Sequence, residues 1–331
     1  MQILADLSQV RPEPSCLIVG FFDGVHRGHV YLIGQASASA RRQGLRAVLL
    51  TFYPHPSVVL RGAEPFHLSS REEKLALLSA LDLDLIIIEP FTLSFAQTRA
   101  GQFVDQLITQ IGMVELWVVP NFAMGYRREG DVQFLRQMGE ERAFAVNVVN
   151  RLKLDGAPIS SSRIREALRE GNVTLAARCL GRPYSLQGQV VMGAQGRGRS
   201  LGFPTANIEV PTEQAMPAHG VYAAWARLRG EAPTSPDLGN LVKATMQGQS
   251  ERSADEQHRA VVNIGTRPTF DTGVRTIEAH LLDFDRDIYG QHLIIDFVAH
   301  LRSEQRFNGA ETLVDQIAHD VAQARQLLHD V

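Results

Sequence analysis

Two histidines three residues apart, His26 and His29, lie in the run Gly20-Phe-Phe-Asp-Gly-Val-His-Arg-Gly-His-Val. The run follows an apolar segment and leads into an amphipathic one, so it reads as a turn that opens a helix. A helix N-terminus offers free N–H groups and positive dipole character, both suited to phosphate. Gly28, between the two histidines, lets a ligand approach the backbone closely. Imidazoles on such a turn can donate hydrogen bonds to charge developing on an α-phosphate. The plain alternative is a glycine-rich turn with two surface histidines. Strand, Asp-Gly, both histidines and helix start arrive together, which favours chemistry. A zinc site is the weaker reading, because no third ligand is near in sequence.

A second run, Ile159-Ser-Ser-Ser-Arg-Ile-Arg, supplies three hydroxyls and two guanidiniums where another helix should begin. Ser160 or Ser161 is a natural N-cap, and capping alone would account for the run. Hydroxyls, free N–H groups and arginine forks also make a pyrophosphate clamp. Combined with the histidine turn, that clamp describes nucleotidyl transfer.

A third run, Gly193-Ala-Gln-Gly-Arg-Gly-Arg-Ser-Leu-Gly-Phe-Pro-Thr-Ala-Asn, is basic and dense in glycine. Backbone N–H groups in such a loop can form an anion nest. Thr205 and Asn207 add hard oxygen donors of the kind Mg²⁺ takes. No Gly-Lys-Ser/Thr follows, so this is not a Walker A loop. Glu278 and His280 share one face of an alternating strand, Thr276-Ile-Glu-Ala-His-Leu-Leu. A strand glutamate is ordinarily just solvent-facing.

Taken together, Phe22-Asp-Gly-Val-His-Arg-Gly-His, Thr51-Phe-Tyr-Pro-His-Pro and Ile159-Ser-Ser-Ser-Arg-Ile-Arg resemble the N-terminal half of the prokaryotic bifunctional riboflavin kinase/FAD synthetase family. Gly202-Phe-Pro-Thr-Ala-Asn, Val262-Asn-Ile-Gly-Thr-Arg-Pro-Thr-Phe and Glu278-Ala-His-Leu-Leu resemble its kinase half. The motifs keep the family's order over nearly the whole chain.

The resemblance implies ATP-dependent phosphorylation of riboflavin to FMN, then adenylylation of FMN to FAD with release of pyrophosphate. It implies Mg²⁺ as cofactor and small molecules (riboflavin, FMN, ATP) as partners. For adenylylation it points to His26, His29, Asn121, Ser161 and Arg165 as catalytic, with Gly20, Phe22, Asp23, Gly28, Ser162 and Arg163 binding nucleotide. For the kinase it makes Glu278 the base for the ribityl 5′-hydroxyl. Gly193, Gly202, Pro204, Thr205, Asn207 and Arg302 are its binding residues, Thr205 and Asn207 its metal ligands, and Asn263 and Arg267 neighbours of the same site. Phe21, Ala123 and Met124 depart from the commoner family choices. They motivate an alternative, a riboflavin kinase with a weak or inactive second domain. A non-enzymatic flavin-responsive regulator is a further alternative, which the histidine pair and Glu278 argue against.

These residues need rigid elements to hold them. Apolar runs at Leu17, Ala47, Leu85, Leu116 and Ala145 alternate with helical stretches near Val30–Gly44, Glu72–Leu81, Ala100–Gly112 and Val132–Arg142. That rhythm predicts a doubly wound parallel α/β domain over residues 1–182, with another helix from Ser162 to Glu170. Beyond Gly181-Arg-Pro-Tyr the pattern turns β-rich, with runs at Leu186–Met192, Val221–Leu228, Ala260–Ile264, Thr276–Leu282 and Leu293–His300. An antiparallel β-barrel domain over 183–331 is expected. It should close with a helix opened by an Asn308/Glu311 capping box. Residues 230–258 carry few large apolar side chains and read as a mobile insertion.

The chain has 331 residues, enough for about two domains. Its 33 basic and 36 acidic residues sum to −3 and provide no basic field for nucleic acid. No run approaches the roughly 20 apolar residues of a membrane span. The start lacks the pattern of a secretory signal. Two isolated cysteines, Cys16 and Cys179, build neither a disulfide framework nor a zinc centre. The expectation is a cytoplasmic enzyme.

Overall fold

The computed structural model describes residues 1–62, 66–192, 202–229, 257–266 and 275–329. The expectations for Gly193, for Arg267 and for residues 230–256 of the insertion lie outside the described residues. Packing divides the chain into two compact units, the first holding Met1–Ser160 and the second beginning at Ser161.

The first unit opens with β1 (Gln2–Leu4), β2 (Ser15–Val19), α1 (Arg27–Gln43), β3 (Arg46–Tyr53), α2 (Pro56–Arg61), α3 (Arg71–Ser79) and β4 (Leu85–Pro90). It continues with α4 (Ala100–Gln106), β5 (Met113–Val118), the short antiparallel pair β6 (Ala123–Met124) and β7 (Gly130–Asp131), α5 (Val132–Arg142) and β8 (Ala145–Val148). A second small pair, β9 (Lys153–Leu154) and β10 (Ala157–Pro158), ends it. Six strands form one parallel sheet in the order β1-β4-β3-β2-β5-β8. The near-continuous apolar runs are explained by cover on both faces. Leu17 and Val19 join one cluster with Phe103, Leu107 and Leu135, whereas Cys16 and Ile18 join another with Ile33, Ala36 and Leu78. β2 lies between β3 and β5, so the chain winds one way from it and later returns to its other side. The carboxyl end of β2 is therefore the topological switch point, where open α/β sheets bind ligands.

The expected helix over 100–112 is real but irregular. α4 passes at Leu107 into a π-helical turn that ends at Gly112. A Cβ there would lie 2.5 Å from the Glu13 carbonyl oxygen and φ is +80°, so only glycine lets the chain leave at this angle.

The second unit begins with α6 (Ser161–Arg169) and α7 (Val173–Leu180). It continues with strands β11 (Tyr184–Val191), β12 (Ala206–Glu209), β13 (Gly220–Arg229), β14 (Gln257–Thr266), β15 (Arg275–Leu281) and β16 (His292–Arg302), and ends in α8 (Ala310–Leu327). The strands close into an antiparallel barrel in the order β11-β12-β15-β14-β13-β16. β12 is the strand that sequence periodicity leaves out, because only Ala206 and Ile208 of its four residues are buried. Gln257 and His258, read as part of the insertion, belong to β14. α8 covers one flank of the barrel, with Val321, Ala324 and Leu328 packed on Val221, Ala223 and Val261.

The expected Asn308/Glu311 cap does not form. The helix starts at Ala310, its N-cap is Gly309, and no side chain caps it. Asn308 therefore lies one residue too early, and position N3 is Thr312, not Glu311.

Barrel closure generates a stability prediction. A Cβ on Gly188 of β11 would lie 2.0 Å from the backbone oxygen of Glu209 on β12. Gly188→Ala must push these strands apart. We expect a loss of roughly 1–3 kcal/mol in urea unfolding. An unchanged midpoint would show that the strands shift without cost.

Candidate functional site

At the carboxyl end of β2 the backbone turns through three left-handed residues, Phe22 (φ 50°), Gly24 (φ 75°) and Val25 (φ 37°). A β-branched residue rarely adopts this region, so the turn must be held from outside. Asp23 is buried, and both its carboxylate oxygens accept the Leu68 N–H, at 3.0 and 3.1 Å. The Gly24 N–H donates to Ser69 Oγ at 3.2 Å. Phe22 lies over Gly20, where a Cβ would meet the ring at 3.0 Å.

The turn delivers His26 as the N-cap of α1. Its Nδ1 accepts the His29 N–H at 3.2 Å. In the neutral ring the proton therefore sits on Nε2, which makes that nitrogen a donor. The two imidazoles stack with centroids 3.6 Å apart and planes 15° apart. Phe22 meets His29 edge-on at 5.1 Å. Gly28 packs closely here, where a Cβ would press on the His26 ring at 3.2 Å. His29 Nδ1 is buried with no hydrogen-bond partner among the described residues. Burial, then the charges of His26 and Lys74, hold the His29 imidazole well below its usual range. The ring is a neutral imidazole at pH 7.

Two further segments reach the same edge of the sheet. Asn121 follows β5, and its side-chain oxygen accepts from Arg151, which follows β8. Its backbone carbonyl accepts from Arg128 at 3.2 Å. Of the two departures beside it, Met124 is buried and keeps its place in the core cluster. Ile159 brings its carbonyl beside Gly28. The second motif thus starts next to the first. Ser161 opens α6, where Ser161, Arg163 and Arg165 are half-buried and Ser162 is exposed.

A partly open cleft adjoins the turn. Phe21, Phe52 and Tyr53 give it aromatic walls, and Asp23, Arg71 and Lys74 line it with charge. Phe21 packs on Phe52 at 5.4 Å and His55 at 5.0 Å, so this departure from the family pattern is a wall of the cleft. Arg71 lies over the Tyr53 ring at 5.0 Å. Sequence reasoning missed Arg151, Arg71 and Lys74. The Asn-Phe and Pro-His-Pro motifs close to them were visible, but no spacing ties a cation on a distant element to those motifs.

In the barrel, register assembles the other group. Asn207 of β12 pairs with Glu278 of β15, which pairs with Asn263 of β14. The alternating neighbours Ala206, Ile208, Ile277 and Ala279 are buried, so the three polar residues share the barrel's outer face. His280 Nδ1 pairs with the Pro204 carbonyl at 2.8 Å and its ring meets Phe203 edge-on, which fixes the strand leading to Thr205. Gly202 turns with φ 84°. Thr205 and Asn207, two apart in the same segment, offer side-chain oxygens, which suit Mg²⁺ rather than a softer ion. Among the described residues no group of three His, Cys, Asp or Glu side chains could hold a metal.

Arg302 is not a free arm. Its Nε donates to both oxygens of buried Asp320 at 3.0 Å, Nη2 donates at 2.8 Å, and Nη1 donates to the Ser303 carbonyl. It lies over Phe307 at 5.6 Å.

A family model for FAD synthetase matches residues 8–163, and one for riboflavin kinase matches residues 180–328. A bifunctional riboflavin kinase/FMN adenylyltransferase from Listeria monocytogenes is 34% identical over 93% of this chain and 91% of its own length. Its namesake from Escherichia coli K12 is 34% identical over 97% and 95%, and that from Bacillus subtilis 34% over 94% and 91%. A crystal structure from Streptococcus pneumoniae, described as a macrolide-efflux protein, superposes with a TM-score of 0.82 over 98% of both chains at 26% identity. No helix among the described residues is long and apolar enough to cross a membrane.

The burial of His29 can be read in solution. A depressed imidazole pKa means the unfolded chain takes up the proton first, so the stability linked to His29 falls as pH drops below about 6.5. In an NMR titration of ring-labelled protein, the His29 signal should keep its neutral position down through about pH 6. A midpoint near 6.5, the ordinary value, would contradict this environment.

Proposed function

The chain belongs to the family of bifunctional riboflavin kinases/FMN adenylyltransferases, and from that premise we propose how its two sites divide the work. It phosphorylates riboflavin with ATP to FMN, and joins FMN to the adenylyl group of a second ATP to make FAD. Residues 1–182 carry the second reaction and residues 183–331 the first.

In adenylyl transfer, a phosphate oxygen of FMN attacks the α-phosphorus of ATP and pyrophosphate leaves. The nucleophile belongs to the substrate, so no covalent enzyme intermediate is needed. The His26 Nε2–H and the neutral His29 ring, at the N-terminus of α1, stabilise charge on the α-phosphate. Gly20 and Gly28 allow that approach, while Phe22 and Asp23 shape the turn. Asn121, held by Arg151, positions the reactants. Ser161, Ser162 and Arg165, with Arg163, take the β- and γ-phosphates. The aromatic cleft takes the flavin.

In the kinase, Glu278 accepts the proton of the ribityl 5′-hydroxyl as that oxygen attacks the γ-phosphorus and ADP leaves. Thr205 and Asn207 would hold Mg²⁺, which when bound offsets charge on the phosphates. Gly202 and Pro204 shape the segment that leads to Thr205. Arg302 meets the flavin with its guanidinium already fixed by Asp320. The proposed working compartment is the cytoplasm, where ATP is abundant and the buried thiols Cys16 and Cys179, which form no disulfide, stay reduced.

The observation that carries the division is the pairing of Asn207, Glu278 and Asn263 in the barrel, apart in sequence and element from the histidine turn. Two variants test it. Glu278→Gln keeps size but loses the proton acceptor, so riboflavin phosphorylation should fall by on the order of 10²–10⁴ while supplied FMN still becomes FAD. His29→Ala should do the reverse, lowering adenylylation by on the order of 10²–10³. If either variant loses both activities with its fold intact, the two-site division fails.

A further inference from the structure

We propose that Lys74 is a substrate-binding residue of the adenylyl-transfer site, the cation that seats the terminal phosphate of FMN as nucleophile. The inference rests on the adenylyltransferase reading of the N-terminal unit.

Lys74 stands on α3 with its side chain half-buried and its ammonium in the cleft beside the histidine turn. Among the described residues Nζ has two oxygens in reach, the Thr51 hydroxyl at 3.4 Å and the Phe21 carbonyl at 3.5 Å. Both contacts are long and both acceptors are neutral. No carboxylate comes within ion-pair distance of Nζ among the described residues, although burial already lowers its pKa and only Asp23 opposes that shift. A half-buried ammonium with three donors and such weak partners is suited to an anion that arrives with the ligand.

Its place selects the anion. Thr51 lies near the carboxyl end of β3, and Phe21 begins the turn that leads to His26 and His29 at the start of α1. Lys74 acts on the His29 imidazole electrostatically, so the two side chains face one region. Phe21, Phe52 and Tyr53 wall that cleft. A phosphate monoester tethered to a flat aromatic ring fits one ammonium beside three aromatic faces. The triphosphate of ATP has the helix N-terminus and the Ser/Arg motif instead. With Lys74 on the FMN phosphate, the new P–O bond forms from an oxygen already held, the bond from the α-phosphorus to the bridging oxygen breaks, and pyrophosphate leaves with the electron pair. Lys74 transfers no proton.

The test is steady-state kinetics of FMN adenylylation by the full chain, for wild type, Lys74→Ala and Lys74→Arg. Lys74→Ala should lower kcat/KM for FMN by roughly 10- to 100-fold, mainly through KM for FMN, because a charge-assisted hydrogen bond to phosphate is lost. KM for ATP should hold. Lys74→Arg should recover part of the loss. Lumiflavin lacks the phosphate and offers the kinase no ribityl hydroxyl, so its inhibition constant against FMN should be the same in all three proteins, which also reports that the cleft is intact. Wild type that makes no FAD would overturn the underlying reading. Wild type that makes FAD, with KM for FMN unchanged in Lys74→Ala, would overturn the proposal alone. So would a rise confined to KM for ATP, or a lumiflavin inhibition constant that moves in step with KM for FMN.

Discussion

The N-terminal site hangs on one carboxylate. Asp23 is buried in a turn whose neighbours Phe22 and Val25 hold left-handed backbone angles, a conformation costing of order 1–3 kcal/mol per residue. Its two oxygens take the Leu68 N–H, and the next residue is bound by Ser69. This attachment to the segment before α3 lets the chain reverse between Gly20 and Val25 and enter α1 with His26 as cap. Without that reversal the histidines would follow the sheet outward. With it they stack at the switch point, beside Gly28 and Ile159. The same attachment brings α3, and with it Lys74, to the cleft.

The barrel solves its problem differently. No strain is involved, only register. Strand periodicity puts Asn207, Glu278 and Asn263 on one face, and pairing lines them up across three strands. Core residues such as Ala206, Ile264, Ile277 and Ala279 fix that register, because a slip of one would turn the polar row inward. One site is thus held by a costly local turn and the other by the ordinary alternation of a closed sheet.

The two modes explain what could be read from sequence. Apolar runs covered on both faces announced the parallel sheet, and the alternating runs announced most of the barrel. β12 escaped because its four residues are too short a run to show alternation and the Pro-Thr before it reads as loop. The α8 cap was misplaced by one residue because Asn308 outranks Gly309 in capping preference, while the backbone chose Gly309. His26 and His29 were legible because the whole turn is contiguous. Lys74, Arg71 and Arg151 were not. Each reaches its site from another element, and only the β2–β3–β4 and β2–β5–β8 order brings them there. Arg302 was legible as a residue, but its bidentate attachment to Asp320 needs α8 in place to be seen.

The most direct measurement is the initial rate of FMN adenylylation by Asp23→Ala, taken beside riboflavin phosphorylation on the same preparation. If the turn depends on this carboxylate, the histidines shift and adenylylation falls by on the order of 10²-fold, while phosphorylation stays at the wild-type rate. Adenylylation within about twofold of wild type would contradict the account, since the site would then stand without the interaction said to hold it.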